Sequence, residues 1–195
     1  MPVAKGAALD PAQTRTALLD AATRLFYERG LDGIGIADLC AAVGSSKETL
    51  YRHFGSKDGL VQAVLERRSD RVTNWLRSAA EDAGDDPFAR LDAVFAALAT
   101  WYAEPGFRGC AILNAAAQRH EDPARTVAAR HLDRRLELLT DIAQAAGAAD
   151  PAETGRQLLM LVAGATALAD HRGDPTAAEA ARRAAQTILH AAAAG

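Results

Sequence analysis

The chain has 195 residues, 49% of them hydrophobic but only 5% aromatic, and a formal charge of −3. That is enough chain for a real core and too mild a charge for a protein that coats nucleic acid over its whole surface, and the alanine-rich composition favours close-packed helices over a sheet sandwich. Two cysteines without CxxC-type spacing argue against a disulfide framework and fit a reducing compartment; with no apolar run long enough for a membrane span and no basic-then-apolar order in MPVAKGAALD, a soluble, cytoplasmic protein is expected.

Charge is unevenly placed. Residues 1–80 hold eleven Lys and Arg against nine Asp and Glu, and residues 81–195 hold eleven against sixteen. The mild basic bias falls at the N-terminal end.

Aspartate–proline pairs punctuate the chain at Asp10-Pro11, Asp86-Pro87, Asp122-Pro123, Asp150-Pro151 and Asp174-Pro175. Asp is a good helix N-cap and Pro suits the first helical position, so all five read as helix starts. With the apolar periodicity they predict helices over 11–29, 36–43, 46–54, 56–83, 87–103, 110–119, 123–146, 151–169 and 175–194. No strand-like alternation persists, and the expected class is all-α. Leu18, Ala22, Leu25 and Phe26 form the first apolar stripe, ended by Gly30. The fourth helix keeps its period through Leu60, Val64, Leu65, Val72, Trp75, Leu76 and Ala79; at ~1.5 Å per residue it is about 40 Å long. Leu91, Val94, Phe95, Leu98 and Tyr102 point inward from the fifth.

Between the first helix and the fourth lies IADLCAAVGSSKETLYRHFGSK, Ile36–Lys57. Ile36, Leu39, Cys40 and Val43 cover one face of a short helix. Gly44 turns the chain, since Gly adopts positive φ at little cost, and Ser45 or Ser46 caps the next helix. Leu50 and Phe54 are its inward face. Lys47, Glu48, Thr49, Tyr51, Arg52 and His53 are left outward, a set suited to base edges and phosphates of the DNA major groove. Other readings stand beside this one: Tyr51 packed on the first helix, His53 as a part-buried histidine, Glu48 as a surface acid near a helix dipole.

This stretch closely resembles the DNA-binding motif of the TetR family of bacterial transcriptional regulators. Gly44, the TLY at 49–51, the HF at 53–54, the SK at 56–57 and Leu60 carry the likeness. The resemblance implies a DNA-binding head at 1–56, joined by the long helix to a helical effector-binding and dimerisation region at 57–195. It implies base-edge contacts from Lys47, Glu48 and Tyr51, base or backbone contact from Thr49, and phosphate contacts from His53 and Lys57, with Ser46 and Arg52 in the same DNA-binding set. The family commonly has Ser or Thr opening the first helix of the motif. Here Gly35, Ile36 and Ala37 leave only backbone there, so grip rests on Lys47, Arg52, His53 and Lys57.

The second region carries no HExxH, GxSxG, P-loop, GxGxxG or ExxH pattern. No enzyme activity, cofactor or metal is expected. His120-Glu121-Asp122 reads as a solvated loop rather than a ligand cluster, and Cys110 as a small buried residue rather than a reactive thiol. The family pattern implies a small-molecule cavity, with Trp75, Phe95, Trp101, Tyr102, Phe107, Asn114 and Met160 as lining candidates. FRGC at 107–110 followed by LNA at 113–115 resembles a segment of a family subset tied to multidrug or small-molecule responses. The last two helices, with Gly155 and Gly164, read as a homodimer interface, or else as the completion of an internal bundle. The expected function is a ligand-responsive, dimeric regulator, acting as a repressor, on a palindromic operator and released by a small molecule. The rival readings are a constitutive regulator without effector and an α-helical carrier or enzyme with a degenerate head.

Overall fold

The computed structural model describes residues 11–31, 33–118 and 123–195. Their order is α1 (Pro11–Arg29), α2 (Ile36–Val43), α3 (Lys47–Phe54), α4 (Lys57–Asp82), α5 (Pro87–Tyr102), α6 (Ala111–Gln118), α7 (Ala124–Ala145), α8 (Pro151–Arg172) and α9 (Ala177–Ala193). The described residues contain helices and no strands, so the chain is all-α.

The helices group into two compact units, Met1–Arg67 with Ala115–Val127, and Arg68–Asn114 with Ala128–Gly195. In the first, Leu18, Ala22, Ile34, Leu39, Leu50, Leu60 and Val61 are fully buried. They come from α1 to α4 and, for Ile34, from the loop before α2, and their removal from water holds the short α2 and α3 in place, since eight-residue helices are marginal alone. Gly59 marks a close approach: a Cβ there would lie 3.2 Å from the carbonyl carbon of Phe54 at the end of α3.

In the second unit, Leu76, Leu91, Phe95, Leu98, Leu139, Ile142, Leu158 and Leu189 form the core. Gly155 is buried, and a Cβ on it would lie 3.1 Å from the Thr140 Cα; it lets α8 close on α7 within the subunit. Gly164 meets nothing within 4 Å. The two glycines singled out in the sequence therefore face opposite ways.

The aspartate–proline starts divide. The Asp86 carboxylate accepts the Phe88 N–H at 3.0 Å and Asp150 accepts that of Glu153 at 2.9 Å. Asp174 instead binds the N–H and hydroxyl of Thr176 at 2.8 and 2.7 Å in a local turn, so α9 starts at Ala177 rather than Pro175. Asp10, Asp122 and the His120–Asp122 cluster lie outside the described residues. The α8 helix runs three residues beyond the expected Ala169: His171 and Arg172 suit the negative end of the dipole, and Gly173, at φ 59°, ends it. On the second half of α4 the buried stripe runs through Ser69, Thr73, Leu76 and Ala80. Trp75, expected inward, is 37% exposed.

Candidate nucleic-acid interface

The α2–α3 turn is built by local chemistry. Gly44 sits at φ 64°, ψ 30°. The Ser45 N–H bonds the Cys40 carbonyl at 2.9 Å and the Gly44 N–H bonds that of Ala41 at 3.4 Å, the two bonds of a Schellman stop. The chain then enters α3 through Ser46, whose Oγ accepts the Thr49 N–H at 3.1 Å. Ser46, not Ser45, is the cap.

With Leu50 fully buried, the other residues of α3 are fixed in direction. Lys47, Glu48 and Arg52 are exposed and Thr49 is half-buried. Tyr51 is 46% exposed, so it does not pack away on α1. Arg52 Nη2 reaches Thr49 Oγ1 at 3.4 Å, which orders its guanidinium along the outer face. Phe54 is half-buried, under the Arg15 guanidinium at 5.2 Å. His53 is half-buried with its ring 6.2 Å from that of Phe54, and its Nε2 is buried without a hydrogen-bond partner. Behind the turn, burial raises the pKa of the Cys40 thiol, against the opposing pull of Lys47.

Lys57 has a task that its position in the sequence did not reveal. Its Nζ donates to the Leu31 carbonyl at 2.9 Å. The Leu31 N–H is met from the other direction by Gln118 Oε1 at 3.4 Å. Both backbone groups of Leu31 in the α1–α2 loop are thus held by side chains, one from α4 and one from α6. At the start of α2 the Gly35 N–H is taken by Asp38 Oδ2 at 2.8 Å, which leaves less backbone for an outside partner than Gly35, Ile36 and Ala37 imply.

The residues suggested for a small-molecule cavity do not form one group. Trp101, Tyr102 and Phe107 do: the Phe107 ring lies 5.1 Å from each of the other two. Trp75 sits at their edge, 6.4 Å from Trp101. Phe95 is packed in the core. Asn114 donates to the Arg108 carbonyl at 2.7 Å and ties down the loop before α6. Met160 is 63% exposed on α8.

A polar cluster inside the second unit escaped the sequence reading. His131 is fully buried, its Nδ1 3.0 Å from Ser69 Oγ and its Nε2 3.7 Å from Cys110 Sγ. Burial first, then the charges of Arg135 and Arg134, hold its pKa down to about 3, so the imidazole is neutral. Arg135, one turn on, is 3% exposed. The signal was there: Ala128, His131, Arg135, Leu138 and Ile142 keep one helical stripe, and only the two polar members hid it.

Among the described residues no three His, Cys, Asp or Glu are grouped to hold a metal ion. No helix there is long and apolar enough to cross a membrane.

Comparison with known proteins supports the same element. The profile of "Bacterial regulatory proteins, tetR family" matches residues 18–64, from the core of α1 into α4. The repressor ComR of Escherichia coli strain K12 is 46% identical over 57 residues, 29% of this chain and 27% of its own length. The activator FasR of Mycolicibacterium smegmatis is 35% identical over 82 residues, 42% of this chain and 37% of its own. The chain thus matches only about a third of the length of these curated relatives. Over nearly the whole chain, SCO4454 of Streptomyces coelicolor, a TetR-family transcriptional regulator, superposes with a TM-score of 0.80 at 30% identity, covering 93% of this chain and 97% of that one.

Proposed function

Because the chain belongs to the TetR family of bacterial transcriptional regulators, we propose that it is a ligand-responsive repressor that binds a palindromic operator as a homodimer and leaves it when a small molecule is bound. The observation that carries this reading is α3 itself, a Ser46-capped helix with Lys47, Tyr51 and Arg52 outward from a buried Leu50. Residues 1–56 act as the DNA-binding head and residues 57–195 as the effector-binding and dimerisation region. Lys47, Glu48 and Tyr51 read base edges; Arg52, His53 and Lys57 contact phosphates. The family supports DNA-binding regulation, and the repressor sign leans on ComR.

One α3 reads too few base pairs, and two must meet successive major grooves about 34–36 Å apart. The pairing surface we propose is the outer face of α8 with α9. Met160 and Leu168 are exposed there, on either side of the open Gly164. A partner helix could approach closely over that glycine and cover both side chains, while the inner faces of α8 and α9 complete the subunit's own core.

Release needs ~1–3 kcal/mol of coupling between sites. The α4 helix is the proposed carrier: Lys57–Arg67 belong to the unit with α3, and the rest of α4 to the other. The named relatives are regulators, and an operator-bound protein of this kind works in the cytoplasm without enzymatic turnover.

The test is nuclease footprinting of the purified protein on the DNA upstream of its own coding sequence, followed by a screen for compounds that restore cleavage. Protection of two half-sites one helical turn apart supports the proposal. Protection that no compound relieves leaves a constitutive regulator, and the absence of salt-dependent DNA binding sinks the reading.

A further inference from the structure

The Arg135 guanidinium is buried in the second unit with Nε and Nη2 both out of contact with solvent and without a hydrogen-bond partner. A guanidinium cannot lose its proton under ordinary conditions, so this charge cannot be neutralised from within. A buried charge without a partner is strongly unfavourable, and natural chains keep one chiefly where something completes it. Nε–H and Nη2–H are also the two parallel donors on one edge of the guanidinium, the fork that a carboxylate takes with both oxygens.

Neighbouring groups narrow the ligand. The charge of Arg134 is met by Asp70, and Arg77 stands 3.7 Å from Glu137 and 3.9 Å from Asp141. His131 is neutral. These three arginines and three carboxylates balance, with Arg135 the one that no carboxylate touches, so a monoanion upsets the balance less than a phosphate dianion would. The helices run in register, Ser69 beside His131 and Arg77 beside Glu137 and Asp141. Thr73, midway on α4, therefore falls level with Arg135 on α7, and its buried Oγ1 also lacks a partner. The positive field of Arg135 reaches Tyr102, whose hydroxyl lies 2.7 Å from Thr166 Oγ1 and whose ring packs on Phe107. Tyr102 and Phe107 in turn pack against the apolar core of the unit.

We infer that the effector is an organic monocarboxylate with an apolar body, its carboxylate seated on the Nε and Nη2 edge of Arg135 and on the Thr73 hydroxyl. This rests on the regulator reading above and names the chemistry of its ligand. No reaction occurs; the acid binds as the anion and leaves unchanged.

The experiment uses the full-length protein, with benzoate, phenylacetate and decanoate as probes and their primary amides as neutral controls. At about 5 mM, at least one acid raises the melting temperature by about 3 °C while its amide does not. Arg135→Met, which removes the buried charge and keeps the volume, raises the melting temperature of the ligand-free protein and abolishes the response to the acid. Arg135→Lys, which keeps the charge but loses the fork, weakens the acid's binding about tenfold. Equal responses to acid and amide, no response to any of the three acids, or an Arg135→Met protein less stable than the parent would overturn the inference. Footprinting without any acid keeps the two readings apart. A protein that protects DNA but ignores the acids breaks only this inference, and one that responds to the acids but protects no DNA breaks the regulator reading.

Discussion

The two units put the same kinds of residue to opposite uses. On α3, Lys47 and Arg52 stand in water above a wholly apolar core, and their neighbours bond only one another. In the second unit, the face of α7 that should be apolar carries His131 and Arg135, and the opposing stripe of α4 carries Ser69 and Thr73. Exposed cations are well solvated and can wait for phosphate at almost no cost. Buried ones must be paired, neutralised or left strained. His131 is kept neutral between Ser69 and Cys110, whereas Arg135 has no such escape. The first unit leaves one neutral imidazole nitrogen, His53 Nε2, buried without a partner, whereas the second leaves a charged guanidinium so.

This contrast can be broken at several points. The largest effect is expected in the core of the head. Leu50→Ala empties the space under α3 and costs about 2–5 kcal/mol by denaturant unfolding, with loss of DNA binding. If stability and DNA binding both survive, Leu50 is not what fixes the outward face.

The interior histidine comes next. Its folded pKa of about 3 lies below the ordinary value of about 6.5 that it regains on unfolding. The unfolded chain therefore takes the proton first as pH falls. Its contribution is fully present above about pH 6.5 and is lost towards pH 3, at up to about 1.4 kcal/mol per pH unit. Glu179, held down to about 2 by its hydrogen bond from Arg182, acts in the same direction at lower pH. The His131 part should therefore dominate between about pH 4 and 6. Urea unfolding across that window should show the slope in the parent and a flatter one in His131→Asn; equal slopes would mean the imidazole is not buried neutral.

On the exposed side, Lys47→Ala should cost roughly 1–3 kcal/mol on the operator and less on scrambled DNA, read by titration at fixed salt. Equal losses on both would make Lys47 a phosphate contact. Ser46→Ala removes the cap bond to Thr49 and should cost about 0.5–2 kcal/mol in thermal unfolding. Lys57→Ala is the subtlest. If Lys57 holds a phosphate, the slope of log affinity against log salt falls by about one. If it serves only the Leu31 carbonyl, stability drops and the salt slope stays.

The head was largely legible in the sequence because its chemistry is local. Gly44, Ser46 and the Leu50–Phe54 spacing each act within one or two turns, and their pattern forced the two helices and their outward face. The second unit was legible in its helices and much less in what they enclose. His131 and Arg135 sit at positions that the apolar stripe of α7 marks as inward, but a reading that follows hydrophobic residues passes over them. Aromatic side chains drew attention instead, and of these Trp75 proved partly exposed and Phe95 plain core. Gly155 and Gly164 look alike in the sequence and differ only in what lies opposite, Thr140 for one and open space for the other. Lys57's bond to Leu31 joins residues far apart in the chain, which spacing alone does not disclose.

On the proposed function, α3 is presented twice by a dimer and reads DNA. Footprinting of the full-length protein on its own upstream DNA over a salt series tests it most directly. Two protected half-sites about one helical turn apart are expected, with affinity falling steeply as salt rises. A protein that protects no DNA at low salt, or protects it with no dependence on salt, would contradict it.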